Sequence, residues 1–184
     1  MALISKSDLE ARLGRTLTAE ETTAFTLVNS ALQSSIEKMI DSGVEATDVT
    51  TRYYDGGVQT LSISPCTGIT AVKYVDDDSD VDYTFLDNEY SKEPINSTLK
   101  TYLRNRWGAF RTGINNITVT AKFSIFDDTN TLNIVKNAML EALESEVTNS
   151  DNILKESIEG YSIEYASAET KSALNSIKLL FPGI

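Results

Sequence analysis

The chain contains no histidine and a single cysteine among its 184 residues. Without an imidazole, a serine or cysteine nucleophile has no histidine base to activate it, which excludes the Ser-His-Asp and Cys-His mechanisms. Zinc sites built from cysteine and histidine are excluded for the same reason. Cys66 cannot form an internal disulfide. Because no histidine is present to lower its pKa, it is predicted to be a small buried thiol rather than a nucleophile.

Long apolar runs and phosphate-binding glycine loops are also missing. No apolar run approaches the roughly 20 residues needed to cross a bilayer, and neither familiar glycine-rich spacing occurs. The first residues lack the basic stretch and apolar core of a secretory signal. We therefore expect a cytoplasmic protein with no membrane segment and no cofactor.

Positive charge is scarce, because the chain carries 27 acidic against 16 basic residues and a net charge of −11. A protein that binds nucleic acid by neutralising phosphates does not normally carry such a surplus over its whole surface. Two interpretations stay open. The acidic surface could serve solubility alone, or it could repel DNA so that a duplex passes along an acidic wall without binding.

Apolar residues recur at helical spacing near both ends of the chain. Ser7-x-x-Glu10 and Thr18-x-x-Glu21 have the spacing of capping boxes, which predicts a helix start at each. Helical periodicity returns after residue 128 and again after residue 167. The predicted apolar stripes are Phe25, Val28, Leu32, Ile36, Met39 and Ile40, then Leu132, Val135, Met139, Ala142 and Leu143, then Leu174, Ile177 and Leu180.

Between these helices the apolar period shortens to two, which is typical of strands. Asp55-Gly56-Gly57 is a tight-turn signal and predicts a hairpin between the strands on either side of it. The further predicted strands are Leu61–Pro65, Ile69–Val75, Tyr83–Leu86 and Ile117–Phe123.

These patterns predict a mainly α fold with an inserted β element. The expected architecture is a helical bundle that carries a long β-hairpin or small antiparallel sheet between its N-terminal and C-terminal helices. We expect a single domain over 1–184, with N-terminal helices in 1–48, the β-rich insertion in 49–127, and the core helix and C-terminal segment in 128–184. Such an insertion leaves sheet edges and loop tips for another subunit to cover, which suggests an assembly component.

A cluster of carboxylates is the candidate for metal or acid-base chemistry. It comprises Asp76, Asp77, Asp78 and Asp80. Asp76, Asp78 and Asp80 take the first, third and fifth positions of a calcium-loop pattern, with Asp87 at the twelfth. Val81 occupies the sixth position, where that loop requires glycine, and strands flank the segment. A solvated hairpin turn is the favoured interpretation, and a cation site is the alternative.

The most basic and most aromatic stretch runs from Lys100 to Arg111. It contains Lys100, Tyr102, Arg104, Arg106, Trp107, Phe110 and Arg111. Arginine and tryptophan are favoured in protein contacts because both bury a large area and still make directed polar bonds. Contact with a partner is one interpretation. In a second, Trp107 lies in the local core beneath arginine stems, and in a third the stretch contacts nucleic acid.

The order of the predicted helices and strands gives the chain a family resemblance. The pieces are the N-terminal helices, the strands Leu61–Pro65 and Ile69–Tyr74, the strand Ile117–Phe123 running into a helix over Leu132–Val147, and the segment Glu156–Tyr165. Their order resembles that of the head-tail connector proteins of long-tailed bacteriophages, also called adaptor or head-completion proteins.

The resemblance implies a non-enzymatic ring, usually of twelve subunits, in the virion neck between capsid and tail. The ring would lie beneath the portal protein, bind a downstream neck or tail-completion protein, and let DNA pass without specific binding. The candidate interface residues are Arg104, Arg106, Trp107 and Phe110, and for portal contact Ile177, Leu179, Leu180 and Phe181. The alternatives are a tail-terminator or tail-tube component and, in another class, a carboxylate-dependent metal hydrolase.

Overall fold

A computed structural model describes residues 3–75, 82–148 and 168–181. Within these residues the chain forms two compact units. The helical unit comprises 3–39, 130–148 and 168–181, and the sheet unit comprises 40–75 and 82–129. The Glu156–Tyr165 segment lies outside the described residues. Among those residues, no helix is both long and apolar enough to cross a membrane.

The described part of the chain contains four helices, and their apolar stripes supply the core of the helical unit. They are α1 (Lys6–Leu13), α2 (Ala19–Ile40), α3 (Thr129–Thr148) and α4 (Ala168–Leu179). In α2 the predicted stripe is buried except for Met39, which is half-buried. All five predicted stripe residues of α3 are buried as well.

The two predicted helix starts have different outcomes. The Thr18 Oγ1 accepts a hydrogen bond from the Glu21 N–H at 3.2 Å, and the Glu21 carboxylate accepts one from the Thr18 N–H at 2.8 Å, so the second capping box is confirmed. The first is wrong by two residues, because Ser5 caps α1 and Asp8 returns the bond. Glu10 was unavailable for a cap, since its carboxylate accepts from the Leu17 N–H at 3.0 Å.

The sheet unit is built on six antiparallel strands. They are β1 (Thr50–Tyr54), β2 (Thr60–Tyr74), β3 (Tyr83–Thr84), β4 (Tyr90–Glu93), β5 (Lys100–Asn105) and β6 (Ile117–Lys122). The strand order is β1-β6-β2-β5-β4, with β3 beside β2.

β2 is a single 15-residue strand that changes partner along its length. Its first half pairs with β5, with Leu61 opposite Leu103, and its second half pairs with β6, with Val72 opposite Val119. Each pairing contains one register shift, between Ser62 and Cys66 against β5 and between Thr67 and Ala71 against β6. Pro65 lies in the first interval and cannot donate to a ladder, and Gly68 lies in the second with a left-handed φ of 56°, so β2 departs from regular pairing at these two places.

The sheet unit has its own hydrophobic core. It comprises Leu61, Ile63, Cys66, Val72, Tyr90, Leu103, Phe110, Ile117, Val119, Ala121 and Phe123. The N-terminal side of the unit is held by Asp41, whose carboxylate accepts hydrogen bonds from the Arg52 guanidinium at 2.8 Å and from the Ser64 hydroxyl. The Arg52 guanidinium also lies 4.4 Å from the centre of the Phe123 ring.

The prediction of a mainly helical bundle with a small β insertion is wrong. Six antiparallel strands with a separate core make the sheet the dominant element of the fold. The predicted hairpin at Asp55-Gly56-Gly57 is also wrong, because β6 lies between β1 and β2. The two glycines bond to the segment before β6 instead of closing a two-strand turn.

Candidate functional site

The basic and aromatic stretch of the sequence forms β5 and the loop that follows it. This loop, 106–116, lies against the β1–β2 loop, 55–59, and the two together are called the loop tip here. Gly56 N–H donates to the Gly113 carbonyl at 3.0 Å, and Gly57 N–H donates to the Phe110 carbonyl at 2.9 Å. The Phe110 N–H in turn donates to the Val58 carbonyl at 2.8 Å. The loop tip is therefore a backbone-paired structure.

The side-chain amide of Asn116 joins the two loops through hydrogen bonds. Its Oδ1 accepts a hydrogen bond from the Gly56 N–H at 2.9 Å, and its Nδ2 donates to the Arg111 carbonyl at 2.8 Å. A second bond runs from the Asn115 N–H to the Asp55 carboxylate at 2.7 Å. Asn116 is buried, so its two bonds also satisfy an amide that would otherwise be costly to bury.

Phe110 anchors the loop tip to the core of the sheet unit. It is 1% exposed, and its ring meets the Phe85 ring edge to face with centroids 5.4 Å apart. Its side chain is therefore a core residue, which separates it from the three other predicted interface residues of this stretch.

Trp107 is exposed, unlike Phe110, with 80% of its surface open to solvent. Its backbone N–H donates to the Asn105 Oδ1 at 3.0 Å, so the buried Asn105 fixes the turn at which the indole leaves the core. Ile114 is also 80% exposed and Val58 is 46% exposed. The interpretation of Trp107 as a local core residue is wrong, and the loop tip presents three apolar side chains to solvent.

The loop tip contains two arginines, Arg106 and Arg111, against one carboxylate, Asp55, and Arg104 lies in the preceding strand β5. Arg104 and Arg106 are exposed, and among the described residues neither lies in an ion pair with a carboxylate. The Arg111 guanidinium lies 4.7 Å from the centre of the Tyr74 ring. Six other cations do form ion pairs: Lys6, Arg12, Arg15, Arg52, Lys92 and Lys122. Arg104 and Arg106 are therefore exposed cations whose charge no ion pair offsets within the described part of the chain.

The predicted portal contact at the C-terminus divides into two pairs. Ile177 and Phe181 are 1% and 3% exposed, so both belong to the core of the helical unit. Leu179 is 81% exposed and Leu180 is 37% exposed. Of the four predicted residues, only these two leucines present apolar surface for a partner.

The acidic cluster Asp76, Asp77, Asp78 and Asp80 lies outside the described residues. The strands that flank it pair antiparallel, with Tyr74 opposite Tyr83. Asp87, the twelfth position of the calcium-loop pattern, is already engaged by Lys92 at 3.1 Å and by the Tyr90 hydroxyl at 3.2 Å. The hydrogen bond from Lys92 lowers the pKa of Asp87. The described residues contain no group of three or more candidate metal ligands.

Cys66 is fully buried in the sheet core. Burial raises the pKa of its thiol to about 12, because a thiolate would lose its hydration there. The thiol is therefore protonated at neutral pH, and the prediction of an inert buried cysteine is confirmed.

Sequence reasoning missed the residues that hold the loop tip in place. Asn105 and Asn116 are the buried amides of the site, and the turn glycines Gly56 and Gly113 let the backbones approach. Asn115-Asn116 before β6 and Gly56-Gly57 between β1 and β2 are residue types common in any loop, so they do not identify a site. The sequence does not show that these two loops, about 50 residues apart, bond to each other.

No protein-family model matches the chain, and no curated protein is significantly similar to it. Among solved structures, the chain is similar to one in the neck of an empty gene transfer agent (GTA) particle computed with C6 symmetry. Identity is 12% and the TM-score is 0.52, over 95% of this chain and 88% of that chain. It also resembles a chain of the virion of a native GTA particle, at 18% identity and a TM-score of 0.47 over the same coverage. The first likeness shows a shared fold.

Proposed function

We propose that the chain is a non-enzymatic structural subunit of the neck of a phage-like particle, specifically a head-tail connector of the adaptor type. It is made in the host cytoplasm and joins a ring of twelve subunits beneath the portal protein. The ring completes the head, retains the packaged DNA and provides the attachment site for a downstream neck or tail-completion protein. The observation that carries this proposal is a fold shared over 95% of the chain with a chain of a GTA neck.

The exposed surface supports an assembly role. Tryptophan is among the residue types enriched at the centre of protein contacts, and Trp107 is 80% exposed. Trp107, Ile114 and Val58 together give the loop tip exposed apolar surface, and exposed apolar patches mark contact sites for other proteins. Leu179 and Leu180 offer a second apolar contact, which we assign to the portal.

The charge of the chain supports passage of DNA without specific binding. A net charge of −11 per subunit makes a ring of such subunits strongly acidic, and an acidic wall repels the phosphate backbone. In this proposal the carboxylates of the Asp76–Asp80 segment approach the channel. A ring of twelve is compatible with the sixfold symmetry used for the similar neck.

Reconstitution on capsids tests the proposal. Portal-bearing, DNA-filled capsids are incubated with the purified chain, and the vertex is imaged while DNA retention is measured by nuclease protection. We expect added neck density and longer retention. Trp107→Ala is expected to reduce binding, whereas Ile95→Ala, at a residue 73% exposed but outside the loop tip, serves as the matched control. Absence of bound density together with unchanged DNA retention would contradict the proposal.

Pull-down separates the connector from a tail-terminator or tail-tube component. The purified chain is offered immobilised portal protein in one arm and immobilised tail-tube protein in the other. A connector binds the portal. Capture by the tail tube alone would replace the connector with a tail component of the same particle.

A further inference from the structure

Two exposed cations lie on the same side of the sheet unit at the end of β5. Arg104 is opposite Thr60 of β2 and Ser91 of β4, which carry hydroxyls rather than carboxylates. The Arg106 N–H donates to the Glu89 carbonyl at 2.9 Å, so the pairing continues one residue past the strand. Because side chains two positions apart along a strand share one face, Arg104 and Arg106 are neighbours.

No ion pair offsets the charge of these two arginines within the described part of the chain. The carboxylate of Glu89, whose carbonyl binds the Arg106 N–H, accepts hydrogen bonds from the Tyr83 hydroxyl and the Leu86 N–H instead. Both guanidinium groups are exposed. They form a basic surface on a chain that carries a net charge of −11.

Apolar side chains are exposed beside this basic surface, in the loop tip. Trp107 is 80% exposed, Ile114 80% and Val58 46%. The backbone bonds between the two loops and the buried amides of Asn105 and Asn116 brace the loop tip. A surface that is already ordered loses little conformational entropy on binding, so the loop tip is pre-organised for a contact.

This combination favours a protein surface over nucleic acid as the partner. Phosphates complement the arginines, but they offer no apolar groups to cover Val58 and Ile114. A nucleic acid would also meet a chain whose net charge of −11 opposes phosphate binding. A protein surface can cover the apolar residues at its centre and place carboxylates against the arginines at its rim.

A second copy of this chain has the charge that such a partner requires. With 27 acidic and 16 basic residues, it presents a surplus of carboxylates to the arginines. Two loop tips facing each other would instead bring together Arg106 and Arg111 of each copy, against the single carboxylate of Asp55 in each. Charge therefore favours a contact between the basic surface of one copy and a different, carboxylate-bearing surface of the next. Such a contact can repeat head-to-tail, as a ring requires.

We propose that the loop tip and Arg104 form one half of the contact between neighbouring copies of this chain. The second copy covers Val58, Trp107 and Ile114. Its carboxylates pair with the guanidinium groups of Arg104 and Arg106 at the rim. The inference rests on the proposed function for its ring, and it adds which surface of a subunit meets the next and what chemistry receives it.

A zero-length cross-link tests the contact. Arg106→Lys keeps the positive charge and supplies an amine, which a carbodiimide couples to a carboxylate in direct contact with it. Isotopically light and heavy protein are mixed in equal amounts, so that mass spectrometry separates cross-links within one copy from those between copies. We expect the amine at position 106 to couple to carboxylates of a second copy, in concentrated solution or in assembled necks.

Two further variants are matched controls. Ile95→Lys places an amine at a residue that is 73% exposed but outside the loop tip, so its coupling between copies measures random collision. Arg52→Lys places an amine beside the Asp41 carboxylate, which lies 2.8 Å from the native guanidinium. Its coupling within one copy shows that the reagent works.

Four results would overturn the contact. Coupling at position 106 only within one copy would give the arginine an internal partner. Coupling to Asp55 of the second copy would mean that two loop tips meet each other. Coupling to a different virion protein would assign the surface to that protein. Coupling no greater than that of Ile95→Lys, in concentrated solution and in neck-bearing particles alike, would remove the contact entirely.

Neutral variants measure the two parts of the surface separately. Arg104→Gln with Arg106→Gln should weaken association roughly tenfold at low salt, and the difference should shrink as salt screens the exposed ion pairs. Trp107→Ala should weaken association roughly thirtyfold at any salt concentration, as expected at the centre of a contact. Circular dichroism checks that the variants fold.

Association is measured by sedimentation in concentrated solution and by competition with heavy-labelled parent protein for places in the neck. Parent-like association of both variants in both measurements would refute the proposal. Loss of binding to a DNA duplex in the double arginine variant, with self-association unchanged, would assign the surface to nucleic acid instead.

The two proposals fail in distinguishable ways. If the chain is found in necks but position 106 does not couple between copies there, the subunit contact is wrong and the connector function stands. If copies couple in solution but the chain neither binds portal-bearing capsids nor occurs in particles, the contact stands and the connector function is wrong.

Discussion

Replacing Gly56 by alanine should break the loop tip, because there is no space for a methyl group at this position. A Cβ built on Gly56 would lie 1.9 Å from the Arg111 carbonyl oxygen and 2.9 Å from the Asn116 Oδ1. The first distance is far inside van der Waals contact, and the atom it meets is backbone. The φ of Gly56 is outside the left-handed region, so alanine can adopt the conformation and the cost is steric.

The size of the effect follows from the bonds that must open. Overpacking at a tight contact costs about 1–3 kcal/mol. Moving the β1–β2 loop away also lengthens the bonds from the Gly56 N–H to the Gly113 carbonyl at 3.0 Å and to Asn116 Oδ1 at 2.9 Å. At about 0.5–1.5 kcal/mol each, these two bonds raise the expected loss in the free energy of unfolding to about 2–6 kcal/mol.

Urea unfolding followed by far-UV circular dichroism measures this loss, with Gly68→Ala as the matched control. Gly68 also lies in the sheet unit, but a Cβ there meets nothing within 4 Å. Its φ of 56° makes alanine strained by about 1–2 kcal/mol. We expect Gly56→Ala to lose more stability than Gly68→Ala. Equal losses, or a Gly56→Ala protein within about 1 kcal/mol of the parent, would refute the steric argument.

Three further predictions concern single side chains. Cys66, whose thiol pKa burial raises to about 12, should resist alkylation in the native protein at pH 8 and react fully in urea; native labelling would contradict its burial. The hydrogen bond from Arg15 lowers the pKa of Glu21 from 4.5 to about 2, so its contribution is present above pH 4.5 and is lost as pH falls toward 2. The difference in melting temperature between the parent and Glu21→Gln should therefore shrink over that range, and a difference independent of pH would refute the assignment. Leu103→Ala, at a fully buried position of β5, should cost about 2–5 kcal/mol in urea unfolding, whereas Leu27→Ala, 66% exposed on α2, should stay within about 0.5 kcal/mol of the parent.

The helices were predictable because their signal is local. The apolar stripe of α2 repeats over 22 residues, and its cap at Thr18 lies three residues from the Glu21 that completes it. Both features can be read in a short window. The cap of α1 was misplaced because serines occur at both 5 and 7, and the spacing does not reveal that Glu10 bonds to the Leu17 backbone instead.

The dominance of the sheet was not predictable because two of its strands have almost no apolar pattern. In β4 only Tyr90 is buried, and in β5 only Leu103 and Asn105 are. A strand with one buried apolar residue shows no alternation of apolar and polar side chains. The sequence pattern therefore indicates a loop at β4 and only a basic stretch at β5. β6 lies between β1 and β2 and pairs with both, although it is about 50 residues distant in sequence. A turn signal at 55–57 is local and cannot predict such a long-range pairing.

The candidate site was predictable in its residue types but not in which side chains face solvent. Within one short stretch, Phe110 is buried and Trp107 is exposed, and nothing in their spacing decides this. Helical spacing at the C-terminus does not separate the buried side chains from the exposed ones either. Ile177 and Leu180 are three residues apart and were predicted to share one apolar stripe, yet Ile177 is buried and Leu180 is exposed. The helix ends at Leu179, so helical spacing no longer decides which of Leu180 and Phe181 is buried.

Charge disfavours some of the orientations in which two copies of the chain could meet. Each copy carries a net charge of −11, so two copies repel each other in most orientations. The loop tip contains Arg106 and Arg111 against the single carboxylate of Asp55, so two loop tips facing each other would also repel. An orientation that brings the loop tip of one copy to an acidic surface of another is favoured by comparison. Since the Debye length is about 8 Å at physiological ionic strength, this selection acts only over the last few ångströms of approach.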